Sequence, residues 1–254
     1  VVLHHGLYVP QGIICEQFRA RGARVATWHP AYRRGCFTFS EDNTYHKTFI
    51  DEPTAKWEEI PWTPGLDSSL MEYLESRRCG SRDWISFNRQ PIESLKEISS
   101  SLGLDPNKPW IGMLTNVLWD AQLHYEANAF PSLIDWTVRT IEYFAGRQDL
   151  QLIIRAHPAE VSGQLPARQT ISDELTQAFS VLPDNVFVIP AESQISTYEV
   201  MLNCDTVLIY ATKMGIELSA FGVPVVVAGE AWIRNKGFSF DTSTPEEYFE
   251  LLNQ

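Results

Sequence analysis

The sequence predicts an α/β fold: a Rossmann-like, doubly wound parallel sheet in the C-terminal part, preceded by a smaller α/β unit. Three observations carry this expectation. Beyond about residue 106, short apolar runs alternate with helix-length amphipathic segments. The runs, among them LQLII, VFVI and TVLI, are nearly continuous in hydrophobicity, as in parallel strands buried on both faces. Several of them end in polar, ligand-capable residues, and an open α/β sheet holds its ligand beyond the carboxyl ends of its strands.

Taken in order, Val1 to Leu3 reads as a strand that ends in His4-His5-Gly6. A helix follows, roughly Pro10 to Arg21, with Gly22 as its C-cap. Arg24 to Trp28 is the next strand and completes a β-α-β unit. Thr38 to Tyr45 is polar and reads as a loop with a short helix; residues 50 to 66, rich in Pro and Trp, read as an irregular connector. Helices are expected from about Ser68 to Arg78 and from about Ile92 to Leu102. LGLDPNKP then marks a boundary, which divides the chain into domains 1–105 and 106–254.

In the second domain Trp110 to Thr115 is a strand, followed by the loop NVLWDAQLHYEANAF and a helix from Ser132 to Phe144. Strands are expected at Leu150–Arg155, Val186–Ile189, Thr206–Ile209 and Val223–Val227. The intervening helices are Ser172–Phe179, Ser196–Asn203 and Met214–Phe221. The last helix opens with Thr244 as N-cap, Pro245 in the first turn and Glu247 to complete a capping box.

Composition excludes several function classes. Of 254 residues 44% are hydrophobic and 20% charged, an ordinary globular balance. The net charge of −12 argues against general nucleic-acid binding, which needs clustered Lys and Arg; the adjacent Arg33 and Arg34 read as surface solvation. No apolar run approaches the roughly 18 residues of a membrane span. VVLHHG lacks the pattern of a signal peptide, and the absence of an initiator Met leads us to expect a piece of a longer protein. Four scattered cysteines without CxxC spacing suit a reducing, cytoplasmic compartment rather than a disulfide scaffold or a zinc site. No H-E-x-x-H, P-loop, GxSxG or GxGxxG occurs.

The candidate chemistry gathers at the strand ends. Arg155-Ala156-His157-Pro158 follows the buried run LQLII, and an imidazole there can donate a hydrogen bond to a phosphate or protonate it as it leaves. Tyr210-Ala211-Thr212-Lys213-Met214-Gly215 leads into a helix whose first N–H groups suit an anion; Thr212 equally suits a cap. Glu217, in that helix's first turn, either complements the helix dipole or accepts hydrogen bonds from ribose hydroxyls. Ser193, Ser196 and Thr197 open another helix, with capping and ligand roles both open. Asn116 and Asp120 follow the strand WIGMLT, and Asp120 reads as a turn residue or a general base. His4, His5, Tyr45 and His46 are further candidates in the first unit.

RAHPAE, followed by YATKMGIELSAFGVPVVVAGEAWIRNKGFSFD, resembles the capsule polysaccharide biosynthesis and export proteins. These are glycosyltransferases of the two-domain GT-B type, related to Kdo and sialic acid transferases. HHGLYVPQG, WHPAYRRGCFTFSEDNTYHKT and TNVLWDAQ resemble the same group, so the likeness spans most of the chain. It implies a GT-B-like fold with a complete C-terminal domain and a partial N-terminal, acceptor-side domain. It further implies a CMP-, CDP- or UDP-linked sugar donor, with His157 and Thr212 on its phosphate, Arg155 in support and Glu217 on its ribose. The acceptor would be a polysaccharide or glycolipid, its hydroxyl deprotonated by Asp120 or a residue of the N-terminal domain. No metal and no cofactor is implied, and no D-x-D pair occurs. Peripheral association with a membrane capsule-export complex is a further expectation. Tyr210-Ala211-Thr212 stands where relatives often carry serines. A teichoic-acid-like glycerophosphotransferase and a non-catalytic nucleotide-sugar-binding scaffold remain the alternatives.

Overall fold

The computed structural model describes residues 1–84, 91–120, 127–163 and 166–254. Residues 121–126 of the loop expected after the strand WIGMLT therefore lie outside the described residues. The chain divides into two units, Val1–Ser86 and Phe87–Gln254. The helix over Leu95–Leu102 belongs to the second of these, because Ile98 and Leu104 are buried in that unit's core. The division thus falls ahead of the Pro106 boundary expected from the sequence.

In the first unit β1 (Val2–His4) leads through α1 (Gln11–Arg19) to β2 (Ala26–Pro30), which pairs with it in parallel. β3 (Phe37–Glu41) then pairs antiparallel to β2, where the sequence led us to expect a loop. The run FTFSE is polar in sum but alternates aromatic and hydroxyl residues, and alternation rather than polarity decides a strand. It is inverted: Phe37 and Phe39 are exposed while Ser40 is buried. α2 (Tyr45–Ile50) follows, capped by the Thr44 hydroxyl on Lys47 N at 3.3 Å. The expected connector contains one helical turn, α3 (Ala55–Glu58), and then the start of α4 (Pro64–Arg78). Thr63 caps α4 and Pro64 occupies its first turn, where a missing N–H costs nothing, so a Thr-Pro-Gly run that reads as loop is a helix start.

The second unit begins with α5 (Leu95–Leu102), closed by Gly103 in the left-handed conformation. It continues as β4 (Trp110–Leu114), α6 (Leu133–Ala145), β5 (Gln151–Arg155), α7 (Ala159–Ser162) and α8 (Ile171–Ala178). Next come β6 (Val186–Ile189), α9 (Thr197–Met201), β7 (Thr206–Ile209), α10 (Met214–Ala220), β8 (Val225–Val227), β9 (Phe240–Asp241) and α11 (Pro245–Leu251). Thr244 caps α11 as expected, although Glu247 reaches back to Ser243 N rather than to the cap residue.

The strands form one sheet in the order β6-β5-β4-β7-β8-β9, and all pairs are parallel. Every residue of β4, β5 and β8 is buried, which explains their unbroken hydrophobicity. Alternate side chains feed two cores. Met113, Leu152, Ile154 and Leu208 pack with Trp136, Phe144 and Tyr248. Leu114, Ile153, Val207 and Ile209 pack with Ile98, Val200 and Leu218. The fold class is the α/β, parallel-sheet arrangement that the apolar runs predict.

Candidate functional site

Parallel register sets the site. Ile189, Arg155, Leu114, Ile209 and Val227 stand side by side across β6, β5, β4, β7 and β8. The residues that follow them therefore emerge along one edge, at the carboxyl ends. Strand order reverses between β4 and β7, since the chain winds outward from β4 in one direction and then from β7 in the other. Such a switch point is where an open α/β sheet forms its ligand crevice. Asn116 sits at this point: its Oδ1 accepts from Ala211 N at 3.3 Å and ties the end of β4 to the end of β7.

Arg155 organises the neighbouring loop. It is only 1% exposed, and its guanidinium donates to Thr197 Oγ1 at 3.1 Å, to Ser193 O at 3.2 Å and to Pro190 O. Burial draws its pKa down to about 10, with Glu192 opposing, so it stays charged at neutral pH. Ser196 is the cap of α9 and accepts from Glu199 N at 3.2 Å. Ser193 Oγ accepts from Ile195 N. The helix opening is thus held from both sides, by its own cap and by a cation from β5.

His157 is partly buried just beyond β5, and its Nδ1 accepts from Ala159 N at 3.1 Å. An imidazole nitrogen that accepts carries no proton, so the ring proton of the neutral form sits on Nε2. Burial first, and then the Arg155 charge, push its pKa down to about 4. At neutral pH the side chain is therefore a neutral Nε2–H donor. Of its two expected roles, hydrogen bonding to a phosphate suits this state, whereas prior protonation of the ring does not.

On the β7 side Glu217 is nearly buried, at 7% exposure. It accepts from the Tyr198 phenol and pairs with Lys213 Nζ at 3.4 Å. Tyr198 follows Thr197 directly, so a continuous chain of contacts runs from Arg155 through the start of α9 to Glu217 and Lys213. Thr212 Oγ1 accepts from Met214 N at 3.4 Å, while Thr212 O accepts from Gly215 N at 3.4 Å.

Two sequence expectations are corrected here. Tyr210 is fully buried, and its hydroxyl donates to Phe130 O at 2.8 Å, so it belongs to the core and not to a ligand site. Gly215 is a packing residue: a Cβ there would lie 2.5 Å from Ile209 Cδ1, and its N–H is already bonded within the turn. Asp120 closes a turn through its N–H to Val117 O. His4, His5, Tyr45 and His46 lie in the first unit, where they form an aromatic cluster with His29.

Sequence reasoning overlooked Tyr198, whose neighbours Ser196 and Thr197 drew the attention because hydroxyls at a helix start are a known signal. It also overlooked Glu230, just past β8 and 8% exposed. Glu230 Oε1 accepts from Ala127 N, its own N–H donates to Asn128 Oδ1, and Oε2 meets no hydrogen-bond partner among the described residues. Its place one residue after Gly229 at a strand end was the available signal.

A sequence profile of the family described as capsule polysaccharide biosynthesis protein matches residues 96–250. Among solved structures, the beta Kdo 2,4 transferase of KpsC from Thermosulfurimonas dismutans is similar with a TM-score of 0.62 at 12% identity, over 98% of this chain and 74% of that one. The beta Kdo 2,7 transferase of the same organism's KpsC is similar with a TM-score of 0.53 at 11% identity, over 96% of this chain and 69% of that one. No curated protein sequence matches. These structural likenesses bear on the fold alone.

Proposed function

The chain belongs to the capsule polysaccharide biosynthesis family, and we propose that it is a glycosyltransferase. It would move a sugar from a CMP-, CDP- or UDP-linked donor to a growing surface polysaccharide or glycolipid. The observation that carries this is the joined set Arg155, Thr197, Tyr198, Glu217 and Lys213 at the carboxyl edge of the sheet, with His157 just beyond the end of the strand that bears Arg155.

In this reading the second unit holds the donor. His157 Nε2–H donates to a donor phosphate oxygen, and Thr212 and Lys213 meet the same anion from β7. Glu217, oriented by Tyr198, accepts from the ribose hydroxyls in exchange for its contact with Lys213. Arg155, Ser196 and Asn116 position these groups from beneath. The acceptor hydroxyl attacks the anomeric carbon, the bond from that carbon to the phosphate oxygen breaks, and the nucleotide leaves. The hydroxyl proton passes to a base, for which Asp120 is the candidate. Fixed donors and cations offset the phosphate charge as it develops, so donor binding needs no metal ion. Among the described residues no helix is long and apolar enough to cross a membrane. We place the enzyme in the cytoplasm, in peripheral contact with a membrane export complex.

The experiment is a transfer assay on the full-length protein, with a panel of cytidine and uridine nucleotide sugars and a lipid-linked oligosaccharide acceptor. Nucleotide release together with a product heavier by one sugar supports the proposal, and His157→Ala should abolish both. Transfer of glycerophosphate from CDP-glycerol would indicate a phosphotransferase instead. Partner binding with no turnover on any donor would indicate a scaffold.

A further inference from the structure

We propose that His4, His5 and His29 form a binding site for one divalent transition-metal ion of the zinc class. Each ring offers one nitrogen, and these nitrogens lie within 4.8 Å of one another. The inference concerns the first unit alone and does not depend on the glycosyltransferase proposal.

The cluster follows from the local fold. β1 and β2 are parallel with His4 opposite Trp28, and His5 N donates to Trp28 O at 2.9 Å, which carries the ladder one step further. His4 and His5 close one strand, while His29 lies one residue beyond Trp28 on the other. All three therefore stand at the carboxyl end of a parallel pair. Successive side chains of a strand normally point to opposite faces. Here His5 takes a φ of 59° and Gly6 one of 69°, and this turn brings consecutive imidazoles together, with ring centroids 4.1 Å apart. Gly6 is required, since a Cβ would lie 2.3 Å from Thr27 Cγ2.

The geometry suits a three-nitrogen site. His4 and His29 are stacked at 5.8 Å with 3° between their planes, and the His5 ring is tilted against both, 4.2 Å from His29. Tetrahedral zinc takes imidazole nitrogens at about 2.0–2.1 Å, so its ligands sit roughly 3.4 Å apart. Modest rotations of the rings close the difference. Tyr45 stacks on His29 at 4.6 Å and Trp28 borders His4 at 4.8 Å, which limits the rings to such rotations. His5 Nδ1 is shielded from solvent and meets no hydrogen-bond partner among the described residues. A buried nitrogen without a partner is costly unless something binds it. An all-imidazole set selects zinc and its transition-metal neighbours over magnesium or calcium. Three such ligands leave one coordination position open.

The test uses the full-length protein, freed of metal by chelator and titrated with Co2+ and then Zn2+. We expect the visible absorption of tetrahedral Co2+ at one equivalent, displaced by Zn2+. His4→Gln and His29→Ala, each checked by its melting curve, should weaken Zn2+ binding by more than the roughly 10–100-fold that loss of an outer partner costs. Cys36→Ser, which removes an exposed thiol, should leave it unchanged. No stoichiometric binding, binding that survives both histidine substitutions in folded protein, or binding lost with Cys36→Ser would overturn the proposal.

Discussion

Replacing Arg155 by lysine separates a positioning role from direct contact with a ligand. The guanidinium satisfies three oxygens at once, Thr197 Oγ1, Ser193 O and Pro190 O, in a setting where it is 1% exposed. A lysine keeps the charge but offers a compact ammonium on a flexible stem and cannot span the same fork. Each lost hydrogen bond to a charged group costs about 1.5–3 kcal/mol, and some partners will rebond to water, so a net loss of about 2–4 kcal/mol is expected. For a unit of this size that lowers Tm by roughly 5–15 °C. Nucleotide affinity should fall with it, because Ser193 and Thr197 lose their anchor. Urea melts followed by tryptophan fluorescence, paired with titration calorimetry, measure both effects. An unchanged melt with affinity reduced more than about tenfold would refute the positioning role and make Arg155 a ligand contact.

Glu217→Gln should weaken nucleotide binding by about 10–100-fold, the equivalent of 1.5–3 kcal/mol, with Tyr198→Phe giving a smaller loss in the same direction. A lowered Tm with unchanged affinity would leave Glu217 only its structural contacts. His157, held near pKa 4 against 6.5, stays neutral in the folded state while the unfolded chain takes up a proton. Its contribution is therefore complete above pH 6.5 and is lost as pH falls from there toward 4, by about 3 kcal/mol at most. Glu160, whose pKa burial raises, acts in the opposite sense, so the comparison is between wild type and His157→Gln. The variant should show the flatter stability profile between pH 7 and 5; identical slopes would contradict the His157 assignment. Nucleotide affinity should be the same with and without EDTA, and a loss restored by Mn2+ would contradict donor binding without metal.

The core sheet was legible because burial on both faces leaves its mark on every residue of a strand. β6 and β7 fall at Val186–Ile189 and Thr206–Ile209, as the apolar runs predict. β3 was not legible, because its buried face carries Ser40 and its aromatic residues face solvent. The start of α4 was hidden by Thr-Pro-Gly, which serves loops and helix starts alike. For the site, sequence supplied which residues follow each strand but not where their side chains turn. Arg155 and Tyr210 both stand at strand ends, yet the guanidinium braces a loop and the phenol goes into the core. Tyr198 gave no signal, since its bond to Glu217 spans 19 positions of the chain.

The central claim is that a nucleotide binds at the carboxyl edge of the sheet through His157. A thermal-shift screen of CMP, CDP, UDP and GDP on wild type and His157→Ala tests it most directly, because a ligand that binds only the folded state raises Tm. We expect a cytidine or uridine nucleotide to raise the Tm of the wild type and to leave the variant unmoved. No shift with any nucleotide, or an equal shift in His157→Ala, would contradict the claim.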